Sequence, residues 1–172
     1  MAPKLINAVL LFSLALTVAP PSSPAQESVA KSQDPSTYMQ VHAPFAQALV
    51  MKVKAAHGDE IVKLGIHAVP PGETDNVIIA NITPSKNGKK SSATDLQKLA
   101  TGKPVAVRED KNQIFDLLIP MTDAWGHDLN GGFVVMEVPF SKASNEEEAL
   151  KIGVAVRDDL QRQIPSKKAL YQ

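Results

Sequence analysis

Three charged residues, Arg108, Asp116 and Glu137, interrupt segments that otherwise alternate in apolar character, and charge placed there is the first sign of chemistry. Over residues 104–110, 113–121 and 132–140, side-chain parity separates two faces. One face collects Val105, Val107, Phe115, Leu117, Ile119, Met121, Val134, Met136, Val138 and Phe140, all of them apolar. The other carries Ala106, Arg108, Ile114, Asp116, Leu118, Phe133, Val135 and Glu137, an apolar field with three charges in it. Counting back from the two turns places Arg108 opposite Asp116 or its neighbour, and Asp116 opposite Glu137 or its neighbour. Lys63 or His67 extends this row if the last strand lies beside the first, and Gly65 between them leaves room for a close approach. Side-by-side carboxylates repel, and a neighbouring Arg108 is one source of compensation. Two readings follow from this row. It is a partly enclosed pocket whose charges orient a small polar ligand, or it is a salt-bridged surface of little energetic weight.

Other chemistries find less in the sequence. Asp116 and Glu137 as an acid/base pair make a hydrolase the best enzymatic alternative, although two acids on neighbouring strands match an ion network equally well. There is no cysteine, and therefore no disulfide, thiolate metal site or cysteine nucleophile. His42, His57, His67 and His127 are scattered without metal-ligand spacing, so a metal site, or haem held by His42 or Met39, requires convergence in space. No P-loop, dinucleotide fingerprint or nucleophile elbow is present. No catalytic residue, metal ligand or cofactor is assigned. Trp125, the sole tryptophan, sits with His127 in a connection over 123–131, where it contacts a ligand or partner or folds back on the sheet. Equal numbers of basic and acidic residues, with no basic stripe, argue against nucleic acid as a partner.

The elements that must position these residues are legible from periodicity. Tyr38, Val41, Phe45, Leu49, Val53 and Ala56 fall on one helical stripe, with Asp34 and Pro35 as its start, Gly58 as its end, and Pro44 kinking or dividing it. Alternation predicts strands over 62–68, 76–83, 104–110, 113–121 and 132–140. Ser92 with Asp95 resembles a capping box for a short helix ending at Gly102. Ser144 with Glu147 opens a last helix, whose apolar residues Ala149, Ile152, Val156, Leu160 and Ile164 run to Pro165. The expected architecture is α+β: a five-stranded antiparallel sheet with long N- and C-terminal helices on one face, spanning 35–166, with 167–172 as a tail.

The N-terminus reads as an export signal: Lys4, an apolar run over 5–19, and small residues Ser23, Pro24 and Ala25 before Gln26. Cleavage after Ala25 is the simplest outcome, because the apolar run is shorter than the roughly 20 residues a membrane span needs. Residues 26–34 read as a flexible tether. The expected location is secreted or periplasmic, with no stable membrane insertion after cleavage.

The chain resembles an extracytoplasmic PAS-like domain of the Cache type over about 35–164. The resemblance rests on element order and on Ile119-Pro120-Met121-Thr122-Asp123, then Gly126, then Gly131-Gly132-Phe133-Val134-Val135-Met136-Glu137-Val138. It implies a five-stranded antiparallel sheet with a ligand pocket on the face covered by the short helix and the loop before it. Arg108, Asp116 and Glu137 would then lie in or beside that pocket. A membrane sensor carries a spanning segment and a signalling module after the domain, and neither is expected here. The resemblance thus implies a stand-alone binder of a small molecule, or one that passes its signal to a separate membrane signalling protein.

Overall fold

The computed structural model describes residues 36–172; the expected export signal and tether lie outside the described residues. Helix α1 spans Pro44–His57. Pro44 neither divides nor kinks a longer helix but begins this one, for a steric reason. A proline ring excludes the α conformation from the residue before it, and Ala43 sits at φ −139° and ψ 67°. At the first helical position proline has no hydrogen bond to lose. The expected helical stripe from Tyr38 to Val41 therefore does something else. Tyr38 makes an antiparallel bridge with Lys89, and the Met39 N–H donates to Gly88 O at 2.8 Å.

Strands β1 (Lys63–Ala68) and β2 (Val77–Asn81) follow, then a 3-10 turn (Pro84–Lys86) and helix α2 (Ala93–Leu99). Ser92 caps α2 by accepting the Asp95 N–H, as its spacing predicts. Strands β3 (Val105–Glu109), β4 (Ile114–Thr122) and β5 (Asp128–Pro139) complete one antiparallel sheet in the order β2-β1-β5-β4-β3. Strand β5 begins four residues earlier than alternation indicates. Asn130 and Gly131 take left-handed backbone conformations near its start, which breaks the alternation locally while Asp128 still pairs with Thr122.

Helix α3 (Glu146–Arg162) is capped one residue later than expected. Asn145 accepts the Glu148 N–H, and the Glu148 carboxylate accepts the Ser144 N–H in return. After Pro165 the chain forms a second 3-10 helix (Lys167–Tyr171) that buries Leu170, so residues expected to be a tail belong to the core. The architecture is α+β with a five-stranded antiparallel sheet. Its helices are not the long terminal ones expected, since an extended segment precedes α1 and a 3-10 helix follows α3.

The apolar sheet face carries the main core. Leu64, Ile66, Phe115, Leu117, Ile119, Val134, Met136 and Val138 cluster there with Leu49, Val50 and Val53 of α1 and with Val156 and Leu160 of α3. Gly153 lets α3 lie close against the sheet. A Cβ at that position would stand 2.5 Å from Leu117 Cδ1 and 2.8 Å from Ile119 Cδ1, both buried. The opposite face holds a smaller cluster, Leu118, Phe133 and Val135, beneath Leu99 of α2.

Candidate functional site

The α2 side of the sheet is ordered in three cross-strand rows. The first is Lys63, Glu137 and Asp116, in register across β1, β5 and β4. Gly65, Val135 and Leu118 form the second, and His67, Phe133 and Pro120 the third. Parity within each strand dictates this arrangement, and the pairing of β1 with β5 brings Lys63 and His67 onto it.

Arg108 is the correction. The loop joining β3 to β4 pairs Glu109 with Ile114 and Arg108 with Phe115. A slip of one residue reverses every side chain of a strand. Val105 and Val107 therefore join the α2 face and Arg108 leaves it. The Arg108 guanidinium lies over Phe140, 4.1 Å from the ring centroid, and its Nε donates to Asp110 at 2.8 Å. It does not compensate the carboxylates.

Lys63 does so instead. Its Nζ is 2.8 Å from Glu137 Oε1 and 3.7 Å from Asp116 Oδ1. The longer contact is a charge interaction rather than a hydrogen bond, and Asp116 Oδ1 is buried without a hydrogen-bond partner. Burial pushes the Asp116 carboxyl above its ordinary range; Lys63 opposes the shift, and Glu137 and Glu109 add to it. For Lys63, burial pulls the ammonium down, but Glu137 and Asp116 together hold it above its usual value.

His67 occupies the third row, stacked on Phe133 with centroids 4.5 Å apart. Its hydrogen bonds fix its tautomer. The Asn76 amide donates to Gly131 O at 2.9 Å, which leaves Asn76 Oδ1 to accept the Ser91 hydroxyl at 2.7 Å. Ser91 Oγ must then accept from His67, so the imidazole carries its proton on Nδ1. Burial, with Lys63 adding, pushes the His67 pKa down to about 3. His67 is a neutral structural element joining β1 to the chain before α2.

A cleft opens at this third row, with Phe133 and Pro120 in its lining. It measures about 790 Å³ and opens between the β1–β2 loop, α2, the ends of β4 and β5, and α3. Phe133, Leu96 and Leu99 supply apolar wall, while Asn76, Arg157 and Gln161 supply polar wall. Helix α2 buries none of its residues, and Leu96 is 41% exposed. Lys63, Asp116 and Glu137 do not line the cleft. The sheet face thus has a charged end and a hollow end, and the polar row anticipated from sequence is the former.

The hollow exists because β3 stops short. Its last pair with β4 is Val105 with Leu118, yet β4 continues to Thr122. Pro120 has no N–H with which to extend a ladder. Two side chains from α3 take the place of the missing strand: Arg157 Nη1 donates to Pro120 O at 2.9 Å, and Gln161 Oε1 accepts the Thr122 N–H at 3.2 Å. Neither residue stood out in the sequence, where the last helix was read from its apolar stripe alone. Their spacing of four residues was the available signal, but the free strand edge they serve is a tertiary feature.

Trp125 is 76% exposed, in a turn held by Asp123, whose buried carboxylate accepts the N–H groups of Trp125 and His127. It neither covers the sheet nor lines the cleft. Among the described residues no group of three metal-binding side chains converges, and no helix is long and apolar enough to cross a membrane.

No protein-family model matches this chain. No curated protein matches it.

Proposed function

We propose that this chain is an exported, PAS-like domain of the Cache type that binds a small polar ligand and does not catalyse a reaction. The observation that carries this reading is the cleft of about 790 Å³ between α2 and the sheet. Its size suits a small organic molecule, and its walls combine an apolar floor with a few polar groups, the usual composition of a ligand site. The reading is supported by the lid-like placement of α2. A helix that buries no residue of its own is held only lightly to the sheet, and a ligand beneath it would supply the missing contact. The five-stranded antiparallel sheet with its short helix over one face agrees with what the resemblance implies. Export rests on the apolar run over 5–19 and the small residues that follow it. The hydrolase alternative draws no support from Asp116 and Glu137, because Lys63 contacts both and neither lines the cleft.

A thermal-shift screen of the purified exported protein against a library of small polar metabolites tests this. At least one compound should raise the melting temperature of the wild type but not of Ala100→Trp, in which the indole fills the cleft from the exposed residue that follows α2. A screen with no such compound rejects the reading.

A further inference from the structure

We propose that the cleft takes a monocarboxylate with an apolar body, its carboxylate held by Arg157 and Gln161 of α3. The inference rests on the small-ligand reading above and adds the ligand's chemistry and the residues that recognise it.

Hydrogen-bond accounting around the cleft carries the argument. Asn76, Asp128 and Asp75 on the sheet and loop side already have partners. Asn76 uses one Nδ2 N–H on Gly131 O, and its oxygen accepts from Ser91. The Asp128 carboxylate accepts the N–H groups of Asn130 and Gly131. Asp75 pairs with Lys90 at 2.8 Å. On the α3 side donors remain. Arg157 uses Nη1 for Pro120 O and Nε for Asp158 Oδ1, which leaves Nη2 without a hydrogen bond to the described residues. Gln161 has its Oε1 fixed on the Thr122 N–H, so its amide orientation is set. The two N–H bonds of its Nε2 likewise have no acceptor among the described residues.

Two donors four residues apart on one helix face, one of them a guanidinium, lie ready for a ligand that brings acceptors. A carboxylate satisfies both, and a charge-assisted hydrogen bond to arginine is among the stronger single contacts a small site offers. Phe133, Leu96 and Leu99 then receive the rest of the molecule, which must be apolar to gain from burial there. The opposite wall selects for a single charge. Asp75 and Asp128 line the cleft as well, and a second carboxylate on the ligand would meet them.

Calorimetric titration with 3-phenylpropionate, 3-phenylpropionamide and 3-phenylpropylamine tests the assignment on the wild type, Arg157→Gln and Lys63→Gln. Gln at 157 retains a donor for Pro120 O, and circular dichroism checks that each variant keeps its fold. Wild type should bind the acid at least about tenfold more tightly than the amide. Arg157→Gln should weaken acid binding by about tenfold while changing amide binding little. Lys63→Gln, at the charged end of the sheet, should leave acid binding unchanged. Equal binding of acid and amide, preference for the amine, or an Arg157→Gln variant that binds the acid as well as the wild type overturns the proposal, while leaving a small-ligand site in place. No binding of the acid by the wild type also overturns it, and the metabolite screen then decides the broader reading separately.

Discussion

Asp116 and Glu137 face each other directly across β4 and β5, two acidic side chains at one cross-strand position. Like charges so placed destabilise a sheet. Lys63 hydrogen-bonds only Glu137, so Asp116 bears the unrelieved part of the cost.

Asp116→Asn should therefore stabilise the protein near neutral pH, by a few tenths of a kcal/mol up to about 1 kcal/mol. The folded-state affinity of Asp116 for a proton exceeds its unfolded value of 3.8, so its contribution to stability is fully present below pH 3.8 and is lost as pH rises through the folded value. The gain in the variant should vanish in acid. Urea unfolding of both proteins at pH 7 and pH 3.5 measures it; a variant less stable than wild type at pH 7 contradicts this account.

His67 should not titrate across the physiological range, because its folded pKa is pushed down to about 3. Nitrogen NMR of the labelled protein should show Nδ1 protonated and Nε2 bare, with neither shift moving between pH 5 and pH 8. Asn76→Ala removes the acceptor that orients Ser91 and the donor to Gly131 O. Such a loss should cost about 1–3 kcal/mol.

A different histidine should make stability depend on pH. His57 bridges α1 and α3, with Nδ1 2.9 Å from Glu60 and Nε2 2.7 Å from Asp159. Burial is the largest single influence and pulls its pKa down, but the two carboxylates together hold it above 6.5. The imidazolium thus favours folding in full below pH 6.5, and that contribution disappears as pH rises through the folded pKa. The difference in melting temperature between wild type and His57→Gln should be largest near pH 5.5 and shrink toward pH 9. A constant difference would mean that the ring acts by packing alone.

Arg108 should matter to stability and not to the cleft. Arg108→Ala loses the contact with the Phe140 ring and with Asp110, at a cost of about 0.5–1 kcal/mol for a half-exposed cation over an aromatic face. Its affinity for 3-phenylpropionate should equal that of the wild type. A weakened affinity would return Arg108 to the binding site and reject the β3 register described above.

The sequence by itself determined which residues of β1, β4 and β5 share a face, because side-chain parity within a strand is local and fixed by backbone geometry. Lys63, His67, Asp116 and Glu137 were legible for that reason, as were the apolar face and the Ser92 cap. Parity cannot carry across a turn whose residue count sets the register; of the partners left open for Arg108, Asp116 or its neighbour, the neighbour Phe115 is the observed one, and this puts Arg108 on the opposite face. Pro44 was visible as an anomaly in a helical stripe, but only the extended run before it, paired with Lys89, decided that it opens the helix. The cleft was decided by tertiary structure alone. It depends on where β3 stops, on a β4 edge left open at Pro120, and on Arg157 and Gln161 arriving there from a helix far along the chain. No local pattern encodes a meeting of elements so widely separated in sequence.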